Sequence, residues 1–333
     1  MNSKVHILGA GGIGIAAGVS LVRAGWSVTM VDSNPQKVDA GQREGMSVDG
    51  AITTRAHFVG FQDWEPPTDA AILCCVKTFD NGLVFSRISN FDSVVPIQNG
   101  YEPKLEAKDH PSEAIASFVS QCAPDRPVTR ITRAGSLHIG PRSNVSDFQK
   151  EKIRTLAGAL AQGQLFPVES VANIQPFKAT KLMYNAAISP LASSAGVDNA
   201  QLLIDPLAQQ LFFALLRENY SILSHAGIRL ETIGPFHPKT VMRILRTPLL
   251  PKLMGVFFRP SLRGTYCSMS PDMGTGRTEI DAYNGHLIRL AGDFPCPINR
   301  AVIELVENIS RDRIAPAHSH LHQLASKLPR GIL

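Results

Sequence analysis

The sequence predicts an α/β domain built on a parallel sheet, followed by an all-α domain. Three observations carry this. Residues 4–33 read as strand, glycine turn, helix, strand and acid, in that order. As far as about residue 147, short apolar runs of strand length alternate with helix-like stretches. Beyond that the pattern is helical, with no convincing strand. A chain of 333 residues exceeds what one compact domain usually holds, so two are expected, 1–167 and 168–333.

The elements follow in order. Val5-His6-Ile7-Leu8 is a strand that runs into Gly9-Ala10-Gly11-Gly12-Ile13-Gly14. A small-residue helix over Ile15–Ala24 stops at Gly25, and Ser27–Val31 is a second strand ending on Asp32 and Ser33. This is the arrangement of a dinucleotide-binding Rossmann unit. Gly9 permits the turn out of the strand, Gly11 lets a pyrophosphate approach the backbone, and Gly14 lets the helix lie close on the sheet. The helix N-terminus then holds the phosphates. Pro35–Glu44 is a polar helix, followed by short strands through Phe58-Val59-Gly60. Ala70–Val76 is a buried strand ending on Lys77, and Ser93–Ile97 another ending on Gln98-Asn99-Gly100. Ala116–Val119 and Gly135–Ile139 are further strands. The glycine turn, Asp32, Lys77 and Asn99 each follow the carboxyl end of a strand, the edge at which open parallel sheets bind ligands. Phe148–Gln162 closes the first domain; Thr180–Ala195, Asp205–Ala226, Thr278–Ala291 and Asn299–Ser310 are helices of the second.

Composition narrows the function classes. The chain is 44% apolar and 18% charged, as a globular protein is. No apolar run approaches the roughly 20 residues of a membrane span, and no signal-type segment opens the chain, so a cytoplasmic protein without a membrane partner is expected. The five cysteines are odd in number, and adjacent Cys74 and Cys75 point to opposite faces of a strand, which suits free thiols rather than a metal site. His318, His320 and His322 lie on what reads as a solvated C-terminal helix. Only the outer two share a face, with no carboxylate or cysteine close by, so no metal is expected there either. The net charge of +5 arises in the second half, which has 17 Lys/Arg against 12 Asp/Glu. Between Glu231 and Asp272 there is no acid, but Lys239, Arg243, Arg246, Lys252, Arg259 and Arg263 occur. This reads as a solvated segment favouring anionic ligands, not as a nucleic-acid surface.

Chemistry points to the second half. Lys181, Asn185 and Ser189 are spaced i, i+4, i+8 and form one stripe on a helix amid apolar neighbours. A partly desolvated lysine there suits proton donation. Further on, Tyr266-Cys267-Ser268-Met269 precedes Arg277-Thr278-Glu279-Ile280-Asp281, where Thr278 and Asp281 are placed to form a capping box.

With these residues in view, the sequence resembles the ketopantoate reductase (2-dehydropantoate 2-reductase) family. The matches are the G-A-G-G-I-G turn, Lys77, Q-N-G at Asn99, K-L-x-x-N over Lys181–Asn185, and S-M followed by T-E-I-D and by N-G at Asn284-Gly285. They come in family order over nearly the whole chain. The resemblance implies a Rossmann domain, a helical domain like the C-terminal one of 6-phosphogluconate dehydrogenase, and catalysis between them. It implies Lys181 as general acid for the substrate carbonyl and Glu279 in the cleft near cofactor and substrate. Asn99 would sit between nicotinamide and substrate, while Lys77 and the backbone of Ala123 would contact the cofactor. Asn185, Ser189, Asn199 and Ser268 would bind a small anionic 2-oxo acid.

Three departures qualify the transfer. Ser189 stands where the family usually has a second asparagine. The Pro235–Arg263 segment is longer and more basic than expected. Asp32-Ser33 stands where NADPH-using members carry an arginine; an acid accepts from the ribose 2′-OH and repels a 2′-phosphate, so NAD(H) is expected over NADP(H), unless Arg43 or Arg55 rescues the latter. Reduction of 2-dehydropantoate is the leading expectation. A reductase of another 2-oxo acid and a cofactor-binding regulator without turnover remain alternatives, the last opposed by the presence of both Lys181 and Glu279. The long apolar helix at Asp205–Ala226 fits either a homodimer interface or the interior.

Overall fold

Strand β1 (Lys4–Leu8) leaves the sheet at Gly9, whose φ of +96° favours glycine. Helix α1 (Gly12–Arg23) lies close behind because a Cβ on Gly14 would stand 2.0 Å from the Gly9 carbonyl oxygen. A computed structural model describes residues 3–49, 52–143, 145–247 and 250–333. After α1 come β2 (Ser27–Asp32), α2 (Pro35–Glu44), β3 (Met46–Val48), β4 (Ile52–Thr54), β5 (His57–Gly60) and β6 (Ala71–Cys74). Then follow α3 (Asn81–Phe85), β7 (Val94–Pro96), α4 (Pro103–Glu106), β8 (Ser112–Ala116), β9 (Val119–Cys122), β10 (Val128–Arg133), β11 (Leu137–Pro141), α5 (Asp147–Gln162) and β12 (Val168–Ser170).

The main sheet is parallel, in the order β5-β2-β1-β6-β7. Alternation along its strands fills both faces. Ile7, Met30 and Leu73 join Ile15 and Val19 of α1 and Leu156 and Leu160 of α5 in one core. Leu8, Val31, Ile72 and Cys74 meet Phe61, Trp64 and Phe85 in the other. Cys75 packs against the first core, so the two neighbouring cysteines do face opposite ways, and all five thiols are free. Two smaller sheets, β4-β3-β10-β9 and β12-β11-β8, complete this unit.

Several elements differ from the sequence reading. The expected strand Ala116–Val119 is split: β8 ends where it begins, and β9 starts where it ends. Strand β11 starts two residues late, at Leu137. β12 lies in the stretch read as helical, because its partner is β11. The first unit accordingly runs to Gln175 rather than Pro167, and Asn99–Glu102 groups with the second unit.

The second unit contains α6 (Gln175–Ala195), α7 (Pro206–His225), α8 (Pro238–Leu245), α9 (Leu250–Leu262), a π-turn (Asp281–Gly285), α10 (His286–Ala291), α11 (Pro297–Arg311) and α12 (Ser319–Lys327). Its core joins Leu182, Met183 and Ala186 of α6 to Leu211 and Leu215 of α7, Val302 and Val306 of α11 and Leu321 of α12. α6 carries Pro190 in its interior. Proline has no N–H to give the Ala186 carbonyl. The Asn284 side chain takes that place, with Nδ2 donating to Ala186 O at 2.9 Å and to Asn299 Oδ1 at 2.9 Å. Asn299 donates in turn to Glu218 and Asn219, and Asn219 donates to Met183 O at 3.0 Å.

The helix expected from Thr278 begins instead at Ile280 and opens into the π-turn. The extra residue per turn there brings a different set of side chains inward than a regular helix would. On α12, His320 is buried and its Nδ1 lies 2.9 Å from Ser194 O, so the helix is not solvated all round. Along α8 and α9, Lys239, Arg243, Arg246 and Arg263 are exposed; the side chain of Lys252 lies outside the described set. No helix among the described residues is long and apolar enough to cross a membrane.

Candidate active site

In the first unit the glycine turn sits at the carboxyl end of β1. Gly11 precedes α1 in an extended conformation (φ −82°, ψ −171°), and no side chain among the described residues caps the helix. Nothing lies within 4 Å of where a Cβ on Gly11 would project. Uncapped N–H groups beside open space suit a phosphate, so the residues fit a bound dinucleotide. Asp32, at the end of β2, accepts from Ala10 N–H at 2.7 Å and Asn34 N–H at 2.9 Å, which fixes its carboxylate against the turn. Ser33 is exposed beside it and Ile13 half-buried.

Two neighbours escaped the sequence reading. Asn34 caps α2 through Oδ1, accepting from Gln36 N–H at 3.0 Å, and its Nδ2 donates to Pro124 O at 2.9 Å. Asn-Pro at a helix start was a readable signal. Cys122 lies 3.5 Å from Ala10 O, a contact from a different sheet that no local pattern announces. Burial pushes its thiol pKa up. Lys77, half-buried after β6, accepts at its carbonyl from Asp80 N–H at 2.9 Å. Gln98 ties the ends of β6 and β7 together, donating to Val76 O at 2.8 Å and Asn81 Oδ1 at 2.7 Å. Ala123 N–H is taken by Val128 O at 2.9 Å, so a cofactor contact from Ala123 has to use another atom.

The second unit gathers the other set. Lys181 and Asn185 are half-buried on α6, and Ser189 is buried one turn beyond. Ser193 Oγ donates to Ser189 O at 2.6 Å, and Cys267 Sγ stands 3.5 Å from the same oxygen and 3.0 Å from Ser193 Oγ. Cys267 thus places its neighbour Ser268 beside this end of α6. Ser268 Oγ is 3.2 Å from the Tyr283 hydroxyl, which donates to Glu279 Oε2 at 3.3 Å. Tyr283 is wholly buried and Glu279 nearly so.

Asn99 is half-buried on the segment that follows β7. Its neighbours dock on the π-turn: Tyr101 N–H donates to Ala282 O at 2.9 Å, and a Cβ on Gly100 would meet the Ala282 Cβ at 2.7 Å. Tyr101 stacks on His286 (centroids 4.3 Å apart, 6° between planes), and Lys178 Nζ lies 4.2 Å from the Tyr101 ring centre. Asn199 Nδ2 donates to Thr265 Oγ1 at 3.2 Å, while its buried Oδ1 has no hydrogen-bond partner among the described residues. The sequence reading missed Tyr101, Lys178, Cys267 and Tyr283.

Two family models match the chain, ketopantoate reductase PanE/ApbA over residues 5–144 and its C-terminal counterpart over 173–310. The chain belongs to the ketopantoate reductase family. Members bind a nicotinamide dinucleotide, and the chain is an NAD(P)-dependent oxidoreductase acting on a CH–OH group. It is 25% identical to the 2-dehydropantoate 2-reductase of Pyrococcus horikoshii over 324 residues, covering 91% of this chain and 96% of that one. With the enzyme of the same name from Archaeoglobus fulgidus it shares 21% over 317 residues (92% and 97%). Among solved structures, D-mandelate dehydrogenase with NADH and anilino(oxo)acetate superposes with a TM-score of 0.75 at 20% identity (93% and 99% covered). A ketopantoate reductase from Ralstonia eutropha gives 0.71 at 22% (93% and 99%). At these identities the structural likeness speaks for the fold.

Proposed function

We propose that the chain reduces a small 2-oxo acid to its 2-hydroxy acid, most simply 2-dehydropantoate to (R)-pantoate, with Lys181 as proton donor. The observation that carries this is the α6 stripe. One ammonium, one amide and one hydroxyl lie in register on a helix whose other faces are core, beside the Ser268–Tyr283–Glu279 chain. When bound, the dihydronicotinamide supplies a hydride to the carbonyl carbon. Lys181 stabilises the negative charge developing on the carbonyl oxygen and gives it a proton, so that a C=O becomes a CH–OH. Asn185, Ser189 and Ser268 offer hydrogen bonds to an anionic acid, and Asn99 helps to set its position against the ring. Correct placement of the reacting atoms is worth up to about 7–11 kcal/mol in such reactions.

For the cofactor we infer a preference for NADH. A fixed carboxylate at Asp32 favours a free ribose hydroxyl over a phosphate. Arg55 Nη1 donates to the Arg43 backbone carbonyl at 2.7 Å, which engages the Arg55 guanidinium at the far end of the ten-residue α2 from Asp32. A second reading keeps this chemistry and changes the acid. Ser189 is shorter than the asparagine usual in the family, leaving room for a bulkier tail.

The test follows loss of reduced nicotinamide with 2-dehydropantoate and a panel of bulkier 2-oxo acids, each with NADH and NADPH. Turnover of 2-dehydropantoate, faster with NADH, is the expected result. Activity confined to bulkier acids supports the second reading, and cofactor binding without oxidation on any acid defeats both.

A further inference from the structure

The phenol of Tyr283 sits at the centre of the second unit's polar set, yet neither the α6 stripe nor the glycine turn uses it. Its ring is completely buried, which is ordinary for an aromatic side chain. Its hydroxyl is not ordinary, because both of its neighbours are residues proposed above for the site. The hydroxyl donates to Glu279 Oε2 at 3.3 Å and has Ser268 Oγ at 3.2 Å. A phenol has one proton. With that proton directed at the carboxylate, the Ser268 hydroxyl donates to the phenol oxygen, and the three groups form a directed chain from Ser268 to Tyr283 to Glu279. Burial, with the Glu279 carboxylate next in weight, pushes the phenol pKa well above its usual value of 10.0, so the donor persists at any working pH.

The π-turn explains how the hydroxyl comes to be there. Tyr283 lies in its middle, with Tyr283 N–H still donating to Glu279 O at 3.1 Å, so ring and carboxylate leave the same turn. The same turn accepts Tyr101 N–H at Ala282 O, receives Gly100 against Ala282 and the Tyr283 ring, and sends Asn284 to the Ala186 carbonyl on α6. Asn99, Glu279, Ser268 and α6 are thus referred to one five-residue element. π-Turns inside helices recur at functional sites.

We infer that Tyr283 is a positioning residue for the reduction, holding the Glu279 carboxylate and the Ser268 hydroxyl in the arrangement the 2-oxo acid meets. This rests on the reductase reading given above. A site built on such a shared donor loses rate when the donor goes, although nothing that touches the cofactor has changed.

The experiment uses Tyr283→Phe, which keeps the buried ring and removes only the hydroxyl, together with Glu279→Gln and the double variant. The wild-type chain is assayed first on the 2-oxo acid panel, with acid binding followed by calorimetry. Y283F is expected to lower kcat by roughly ten- to a hundredfold, the usual range for a lost hydrogen bond to a charged group, with the KM for NADH within twofold of wild type. In the E279Q background the same change is expected to cost less than threefold, because the carboxylate it serves is gone. A ring that merely packs predicts a different pattern: Y283F at wild-type kcat, or an equal loss in both backgrounds, and either result overturns the inference. Wild-type chain that binds but does not reduce any acid defeats the reductase reading alone; the inference then stands or falls on whether Y283F weakens acid binding at least tenfold. Neither binding nor turnover by wild type defeats both.

Discussion

His286 shows how one side chain can tie pH to stability. Its ring lies flat on Tyr101, and its pKa is lowered to about 4, first by burial, then by the nearby charges of Arg289 and Lys178, with Asp281 opposing. The unfolded chain binds a proton at His286 near 6.5, whereas the folded chain resists until about 4. The neutral ring therefore contributes stability that is fully present above pH 6.5 and is lost as pH falls toward 4, on the order of 3 kcal/mol in all. His286→Phe keeps an aromatic partner for Tyr101 and removes the titration. The melting temperature of the variant is expected to fall less than that of wild type between pH 7 and 5, and parallel falls would refute the assignment. Asp32 belongs to the same scale, and its position at the end of β2 beside the glycine turn was legible without the structure, since strand, turn, helix and second strand are each marked in the sequence. Tyr101 and Lys178 were not legible: their partners come from distant parts of the sequence, and neither has a local pattern.

Helix α6 owes its shape to an exchange between elements. Pro190 removes a donor, and Asn284 of the π-turn supplies one. Asn284→Ala leaves the Ala186 carbonyl and Asn299 Oδ1 short of a donor inside the core. A loss of about 1–3 kcal/mol in denaturant unfolding is expected. Pro190→Ala returns an N–H to that carbonyl, so N284A is expected to cost less in the P190A background; equal costs would mean that the exchange is not what Asn284 provides. Long periodic helices such as α6 and α7 could be read from the sequence because apolar spacing alone defines them. The π-turn could not, because T-E-I-D-A-Y-N-G is compatible with a plain capped helix, and only the packing of Tyr101, Glu279 and Asn284 selects the wider turn. Strands β8 to β12 were blurred for a related reason. Each is six residues or fewer, and their pairing joins distant segments into two small sheets.

At the scale of the molecule, the residues proposed for the site divide between two units. The first unit carries the glycine turn and Asp32; the second carries Lys181, Asn185, Ser189, Ser268 and Glu279. Asn99 follows a strand of the first unit, but its segment belongs by contact to the second. The sequence placed it by the strand it follows, and the docking of Gly100 and Tyr101 on the π-turn decides otherwise. This division makes a clean prediction, because a residue of the helical unit that serves only chemistry can be removed without touching the dinucleotide cradle. The most direct measurement is therefore a comparison of Lys181→Ala with wild type, by steady-state reduction of the best 2-oxo acid and by fluorescence titration with NADH. The account predicts that turnover falls by a factor on the order of 10²–10⁴ while the NADH dissociation constant stays within twofold. Retained turnover, or a matching loss of NADH affinity, would contradict it.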